Sequence, residues 1–210
     1  MAQHLGIDEA GRGPVLGPLV VCGCAMAEER IAELSALGVA DSKTLAPAIR
    51  LRLAREIGRV ADRIVLRILP PEDVDAATRR GGLNQAEAAA MIGIIREVGP
   101  ALAYVDALTS RPERFGRALA AGLLPLTVRV IAENRADGKF PLVAAASIVA
   151  KVTRDAALEA LREAHGEIGS GYPGDPRTVA FLRRCLAHGA LPPFVRRSWR
   201  TLSRLAPELS

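Results

Sequence analysis

A chain of 210 residues, half of them apolar, is long enough to bury a core and too hydrophobic to remain disordered. Lys and Arg outnumber Asp and Glu by 28 to 23, a formal charge of +5, which suits a polyanionic partner without requiring one. No apolar run reaches the roughly 18 residues that cross a bilayer, and one Trp, two Tyr and four Phe leave the core to Ala, Val, Leu and Ile.

Apolar patterning predicts two strands, His4 to Asp8 and Leu16 to Met26, joined by a Gly-Pro-rich turn that carries Arg12. Two adjacent acids, Asp8 and Glu9, close the first strand. A carboxylate pair repels itself unless a cation neutralises it, and hard oxygen ligands for a divalent metal are the usual reason for such a pair. Strand neighbours point to opposite faces, so Glu9 has to turn inward at the strand end to share a site with Asp8. Glycines on both sides of Arg12, in Gly11-Arg12-Gly13, allow the main chain to approach another molecule closely. Cys22 and Cys24 share one strand face and read as core residues in a reducing cytoplasm, the expected location. The three Cys and three His have no zinc spacing.

After Asp41-Ser42-Lys43-Thr44 a helix is predicted, with Pro47 in its first turn and Ile49, Leu53, Ile57 and Val60 on its buried face. A strand from Arg63 to Leu69 ends at Pro70-Pro71, and Glu72 to Thr78 reads as a short helix. Asn84 and Glu87 have capping-box spacing at the head of a longer helix whose stripe is Ala88, Met91, Ile92, Ile95 and Val98. Then follow a strand from Ala101 to Asp106, a helix from Pro112 to Ala121, a strand from Leu126 to Ala132, a long helix from Pro141 to His165 and a last helix from about Arg177 to His188. A hairpin and a third strand, then strands alternating with helices, make an α/β fold with a mixed sheet.

Three groups of residues carry chemistry. Asp8 and Glu9 after the first strand, Asp106 at the end of the fourth and Asp137 before the long helix are acids at element ends. Phosphodiester hydrolysis by two divalent metals about 4 Å apart needs such bridging carboxylates. Singly, Asp137 is equally a helix cap, Asp106 a turn former and Glu9 an ion-pair partner. Asp155, one turn from Lys151, is explained by helix pairing. Gly11-Arg12-Gly13 and Tyr172 form the second group: a backbone without Cβ can reach a ribose 2′-hydroxyl and an aromatic ring can stack beside it, the alternatives being a tight turn and a surface ring. Ser42, Lys43, Asn84, Ser147, Lys151 and Arg154 are the phosphate candidates, although Ser42 and Asn84 serve equally as helix caps.

Asp8-Glu9-Ala10-Gly11-Arg12-Gly13 resembles the signature of ribonuclease HII, the type 2 ribonuclease H. Asp41-Ser42-Lys43, Tyr104-Val105-Asp106, Ala136-Asp137, the run from Ala144 to Asp155 and Gly169-Ser170-Gly171-Tyr172-Pro173 match in the same order. The last of these, with Val195-Arg196-Arg197-Ser198-Trp199, is more similar to the archaeal and eukaryotic branch. The resemblance implies a five-stranded ribonuclease H-like core, residues 1–165, and a small helical segment, residues 166–210, that contributes Tyr172. It also implies Mg²⁺ or Mn²⁺ held by Asp8, Glu9, Asp106 and Asp137. The implied activity is hydrolysis of RNA in RNA–DNA hybrids and incision 5′ of single ribonucleotides in duplex DNA, leaving 3′-hydroxyl and 5′-phosphate ends. Substrate contacts are implied for Gly11, Arg12, Gly13, Ser42, Lys43, Asn84, Ser147, Arg154 and Tyr172. A monomer is expected, with no membrane partner and no Gln-x-x-Leu-x-x-aromatic-aromatic clamp-binding tail before Ser210. Asn134 and Arg135 stand where the family often has His and Lys, a departure that bears only on the role of a histidine near that metal. Rival readings are a hybrid-binding module without catalysis, a phosphatase, and a DNA-directed nuclease on the same acids. No acid is missing, which argues against the first, and the ribose-reading loop argues against the others.

Overall fold

A computed structural model describes residues 2–39 and 45–206. The five predicted strands all form, four of them with shifted ends and the third, Arg63–Leu69, as predicted. β1 (Gln3–Ala10) runs two residues past Asp8, so Glu9 is still in the strand rather than in a turn. β2 (Leu19–Ala27) starts later than the apolar pattern indicates, because Leu16 instead bridges Val195 and Gly17, at φ 81°, donates to the Phe194 carbonyl. β3 (Arg63–Leu69), β4 (Leu102–Asp106) and β5 (Arg129–Glu133) complete a sheet of order β3-β2-β1-β4-β5. β1 is antiparallel to β2, with Asp8 opposite Cys22, and parallel to β4, with Ile7 beside Val105. β4 is parallel to β5. This is the mixed α/β sheet expected.

Eight α-helices lie among the described residues: α1 (Ile31–Ala36), α2 (Pro47–Val60), α3 (Pro71–Arg79), α4 (Leu83–Val98), α5 (Pro112–Leu123), α6 (Pro141–His165), α7 (Pro176–Ala187) and α8 (Arg200–Leu205). The two six-residue helices, α1 and α8, are too short to show a periodic stripe and were not expected. In α2 the stripe is shorter than predicted: Leu53 and Ile57 are buried, but Ile49 is 41% exposed in the first turn. In α4 the buried face is rotated, to Glu87, Met91, Ile94 and Ile95, and Asn84 is the second helical residue rather than the cap. The rotation follows from Glu87, an acid that polarity places in solvent and that the fold buries completely.

The chain divides into two compact units. The first comprises Met1–Ala10, Val20–Arg67 and Glu87–Val152, and the second Gly11–Leu19, Ile68–Ala86 and Thr153–Ser210. In the first, one face of the sheet packs Val20, Cys22, Cys24 and Met26 against Leu142, Ala144, Ala145 and Ile148 of α6, so both cysteines are core residues. The alanine-rich start of α6 permits this close approach: at Gly6 of β1 a side chain would collide with the backbone of Leu142 and Val143. The second unit has its own core of Val15, Leu16, Leu158, Ile168, Phe181, Leu182, Phe194, Val195 and Leu202. No helix among the described residues is long and apolar enough to cross a membrane.

Candidate active site

Asp8 and Asp106 come together because β1 and β4 are parallel and in register, Ile7 beside Val105, and each strand continues into its acid at the same sheet edge. Carboxylate oxygens of Asp8, Glu9 and Asp106 lie within 4.8 Å of one another. Asp8 shares the face of Gly6 that meets α6, and four residues beyond Val143 the helix presents Ser147. The Ser147 hydroxyl donates to Asp8 and accepts from Lys151 Nζ at 2.7 Å, so a fully buried serine links the acid to the cation one turn further on. Glu9 points from the opposite side of β1, and Glu87 of α4 acts on it electrostatically. Its carboxylate nonetheless joins those of Asp8 and Asp106.

Burial pushes the Asp8 carboxyl up to about 6, with Asp106 adding to the rise and Ser147 and Lys151 opposing it. Burial raises Glu9 well above the usual carboxylate range, reinforced by Asp8, Glu87 and Asp106. Glu9 Oε2 is buried and has no hydrogen-bond partner, and a buried acceptor left so is costly. Three hard oxygen donors, mutually repulsive and one of them orphaned, fit a divalent cation. Asp137 is not in that group of three. It sits 6% exposed on a 3₁₀ turn, Ala136–Gly138, that Asp106 secures by accepting the Ala136 N–H at 2.8 Å through Oδ1. The preceding residue, Arg135, takes left-handed φ/ψ of 56° and 42°, an uncommon conformation for a residue with a Cβ.

These shifts give a pH dependence with a definite sign. A carboxyl whose folded pKa lies above its unfolded value favours the fold at low pH and loses that contribution as pH rises, here from 3.8 through about 6. Metal-free protein is therefore expected to melt at progressively lower temperature over that window. Asp8→Asn should flatten the slope, as should saturating Mg²⁺. A slope equal in wild type and variant would remove Asp8 as its source.

Within the second unit, Gly11 adopts φ 98°, and a Cβ there would lie 2.6 Å from the Pro18 carbonyl oxygen. Arg12 donates from Nη2 to Asn84 Oδ1, so Asn84 holds the loop arginine. Tyr172, 46% exposed, lies against Gly13, where a Cβ would be 3.4 Å from its ring. The Arg154 guanidinium stands 5.2 Å from that ring's centroid and donates to the Ser170 carbonyl at 2.9 Å, and the residue is only 6% exposed. Ser42 and Lys43 lie outside the described residues. Several residues around these groups escaped sequence reasoning. Gly6 reads as an ordinary strand residue, Glu87 as a helix cap, and Asp75, Arg196 and Trp199 carry no local pattern. Only the motif match from Val195 to Trp199 drew attention to that segment.

Acids gathered at the ends of neighbouring parallel strands, in a mixed five-stranded sheet of this order, define a nuclease of the ribonuclease H-like fold. Solved structures agree: the ribonuclease H2 of Pyrococcus horikoshii superposes with a TM-score of 0.92 at 39% identity, covering 99% of this chain and 98% of that one. The Archaeoglobus fulgidus ribonuclease HII, solved in complex with PCNA, gives 0.88 at 43% identity over 96% of each chain. A Bst ribonuclease HIII, at 21% identity and a TM-score of 0.81, shares the fold. Residues 5–202 match the ribonuclease HII family, and the ribonuclease HII of Thermococcus onnurineus is 46% identical over 98% of this chain and 90% of its own. The chain belongs to the ribonuclease HII family: it is a type 2 ribonuclease H, a phosphodiester hydrolase that acts as an endonuclease.

Proposed function

We propose that the protein cleaves on the 5′ side of ribonucleotides, both in RNA–DNA hybrids and singly embedded in duplex DNA, leaving 3′-hydroxyl and 5′-phosphate ends. Asp8, Glu9, Asp106 and Asp137 would hold Mg²⁺ or Mn²⁺. The observation that carries this is the partly buried carboxylate group with its orphaned Glu9 oxygen. A bound divalent ion activates water and stabilises the leaving oxygen. The chain's own residues prepare that chemistry. Ser147 and Lys151 keep Asp8 oriented and bias it towards the ionised form. Asp106 keeps the Asp137 turn in place. Water is the nucleophile, since burial pushes the thiols of Cys22, Cys24 and Cys185 up and keeps them from the thiolate form that attacks.

Recognition of the sugar falls to Gly11-Arg12-Gly13 and Tyr172, because a side-chain-free backbone beside an exposed ring suits a 2′-hydroxyl and its neighbouring nucleotide. Arg154 acts through Tyr172, whose ring it supports. Asn84 acts through Arg12, and Lys43 and Ser42 contact phosphates. The test is a duplex DNA with one ribonucleotide, incubated with Mg²⁺ or with EDTA. One cut 5′ of the ribose, with metal only, is expected, and equal cutting of the all-deoxy duplex would refute the reading. Tyr172→Ala should lose about 1–3 kcal/mol in kcat/KM, with the greatest loss at a single RNA-to-DNA junction. Equal slowing on an all-RNA hybrid would make Tyr172 a loop residue only.

A further inference from the structure

The Gly11-Arg12-Gly13 loop is not held by its own turn alone. Its carbonyls are fixed by side chains from the far end of the chain. Arg196, completely buried, donates from Nε to the Gly17 carbonyl at 2.9 Å and from Nη1 to the Arg12 carbonyl at 3.5 Å. Trp199 donates from Nε1 to the Gly13 carbonyl at 3.0 Å, and the Arg196 guanidinium stands 4.8 Å from the Trp199 ring centroid. The two side chains thus brace each other as well as the loop.

The segment that carries them is anchored independently. Asp75 of α3 is 4% exposed, and its carboxylate accepts the Arg197 N–H at 2.7 Å, the Ser198 N–H at 2.9 Å and the Ser198 hydroxyl at 2.6 Å. The main chain adds a further tie, with Arg196 N donating to the Val15 carbonyl at 2.8 Å. On the other side of the loop, Val15 N–H donates to the Gly171 carbonyl at 2.8 Å, next to Tyr172. All these groups belong to the second unit. A buried guanidinium costs several kcal/mol in desolvation unless its donors are used, and here Nε and Nη1 are aimed at the carbonyls of one loop. For stability alone, an apolar residue of similar size is often as good.

From this network we propose that Trp199 and Arg196 are positioning residues for ribose recognition, with Asp75 setting their place: they fix the carbonyl directions of Arg12 and Gly13, and so the shape that the loop offers a 2′-hydroxyl. The inference rests on the reading of that loop as the sugar reader. A backbone reader has no rotamers with which to adapt, so its discrimination depends on how firmly the peptide planes are held. Side chains hold the carbonyls of Arg12 and Gly13, and that of Gly17 behind them.

The experiment measures binding, in an Asp106→Asn background with Mg²⁺, to two duplexes that differ by one 2′-hydroxyl. Trp199→Phe keeps a ring beside Arg196 and removes only the N–H on the Gly13 carbonyl. It should lower the ribo-to-deoxy affinity ratio about tenfold, the equivalent of one good hydrogen bond, while affinity for the all-deoxy duplex stays constant. Asp75→Asn, which offers one acceptor oxygen where two are used, should lower the ratio in the same sense. Gly11→Val tests the underlying reading. If Gly11→Val collapses the ratio and both other variants leave it intact, the brace is structural only and the proposal fails. If Gly11→Val also leaves it intact, the loop does not read the sugar and the failure lies in that reading. Parallel loss of affinity for both duplexes in Trp199→Phe would likewise overturn the proposal, since a merely loosened fold weakens both.

Discussion

Asp106→Asn, assayed on an RNA–DNA hybrid with saturating Mg²⁺, is expected to lose about three orders of magnitude or more in kcat while melting no lower than wild type in the absence of metal. The carboxamide keeps the size of the side chain and can still accept the Ala136 N–H through its oxygen, so the turn bearing Asp137 stays in place. What it removes is a negative charge that raises both Asp8 and Glu9. A metal contributes several kcal/mol of transition-state stabilisation, and each 1.36 kcal/mol is tenfold in rate, so losing one of the proposed ligands would cost about the stated factor. Without metal the same change relieves like-charge repulsion in a buried group, which accounts for the sign on stability. Asp8→Asn should behave alike, because Ser147 can donate to the amide oxygen as it does to the carboxylate. Turnover within about tenfold of wild type for either variant would remove that residue from the site. A large fall in melting temperature would show that the acid holds the fold rather than a cation.

The acids were legible because their signal is local. Asp8, Glu9 and Asp106 each stand at the end of an apolar run, and strand ends on one edge of a parallel pair are brought together by any register that buries both strands. Their partners were not legible, since each belongs to another element. Ser147 reaches Asp8 only because α6 crosses β1 at Gly6. Glu87 lies in a stretch whose polarity favours a cap, and tertiary packing turns it inward instead. Likewise the strands show as apolar runs, but β2 starts later than its run because Leu16 is apolar for a different reason, its packing with Leu158, Phe194 and Val195. Short α1 and α8 carry too few turns for periodicity to register. Asp75 meets Arg197 and Ser198, and Arg196 and Trp199 meet Arg12 and Gly13, each across more than a hundred residues of chain, and no spacing encodes that.

Gly6→Ala should be the most damaging single methyl group that can be added near the site. Gly6 is an ordinary strand position in φ, so the reason for glycine there is space. The new Cβ would fall inside the contact radii of the Leu142 carbonyl carbon and the Val143 nitrogen, and 2.5 Å from the Leu142 carbonyl oxygen. These are backbone atoms in the first turn of a 25-residue helix, with Leu142, Val143, Ala144, Ala145 and Ala146 all buried, so no rotamer change relieves the clash. The helix has to move off the strand or the strand has to bend. Overpacking of this kind costs about 3 kcal/mol or more, and for a chain of this size that is a fall of roughly 6–12 °C in melting temperature. The functional consequence follows from the same displacement. Ser147 stands one turn beyond Val143 on α6 and donates to Asp8, two residues beyond Gly6 on β1. Any separation of α6 from β1 at Gly6 therefore lengthens that hydrogen bond and withdraws Lys151 behind it. Gly6→Ala should thus lower kcat even at temperatures where it is fully folded, and Ser147→Ala should reproduce part of the loss in kcat with a much smaller loss of stability. If Gly6→Ala melts within a degree or two of wild type and cleaves normally, helix and strand are free to separate at Gly6 and the alignment of Asp8 does not depend on their contact.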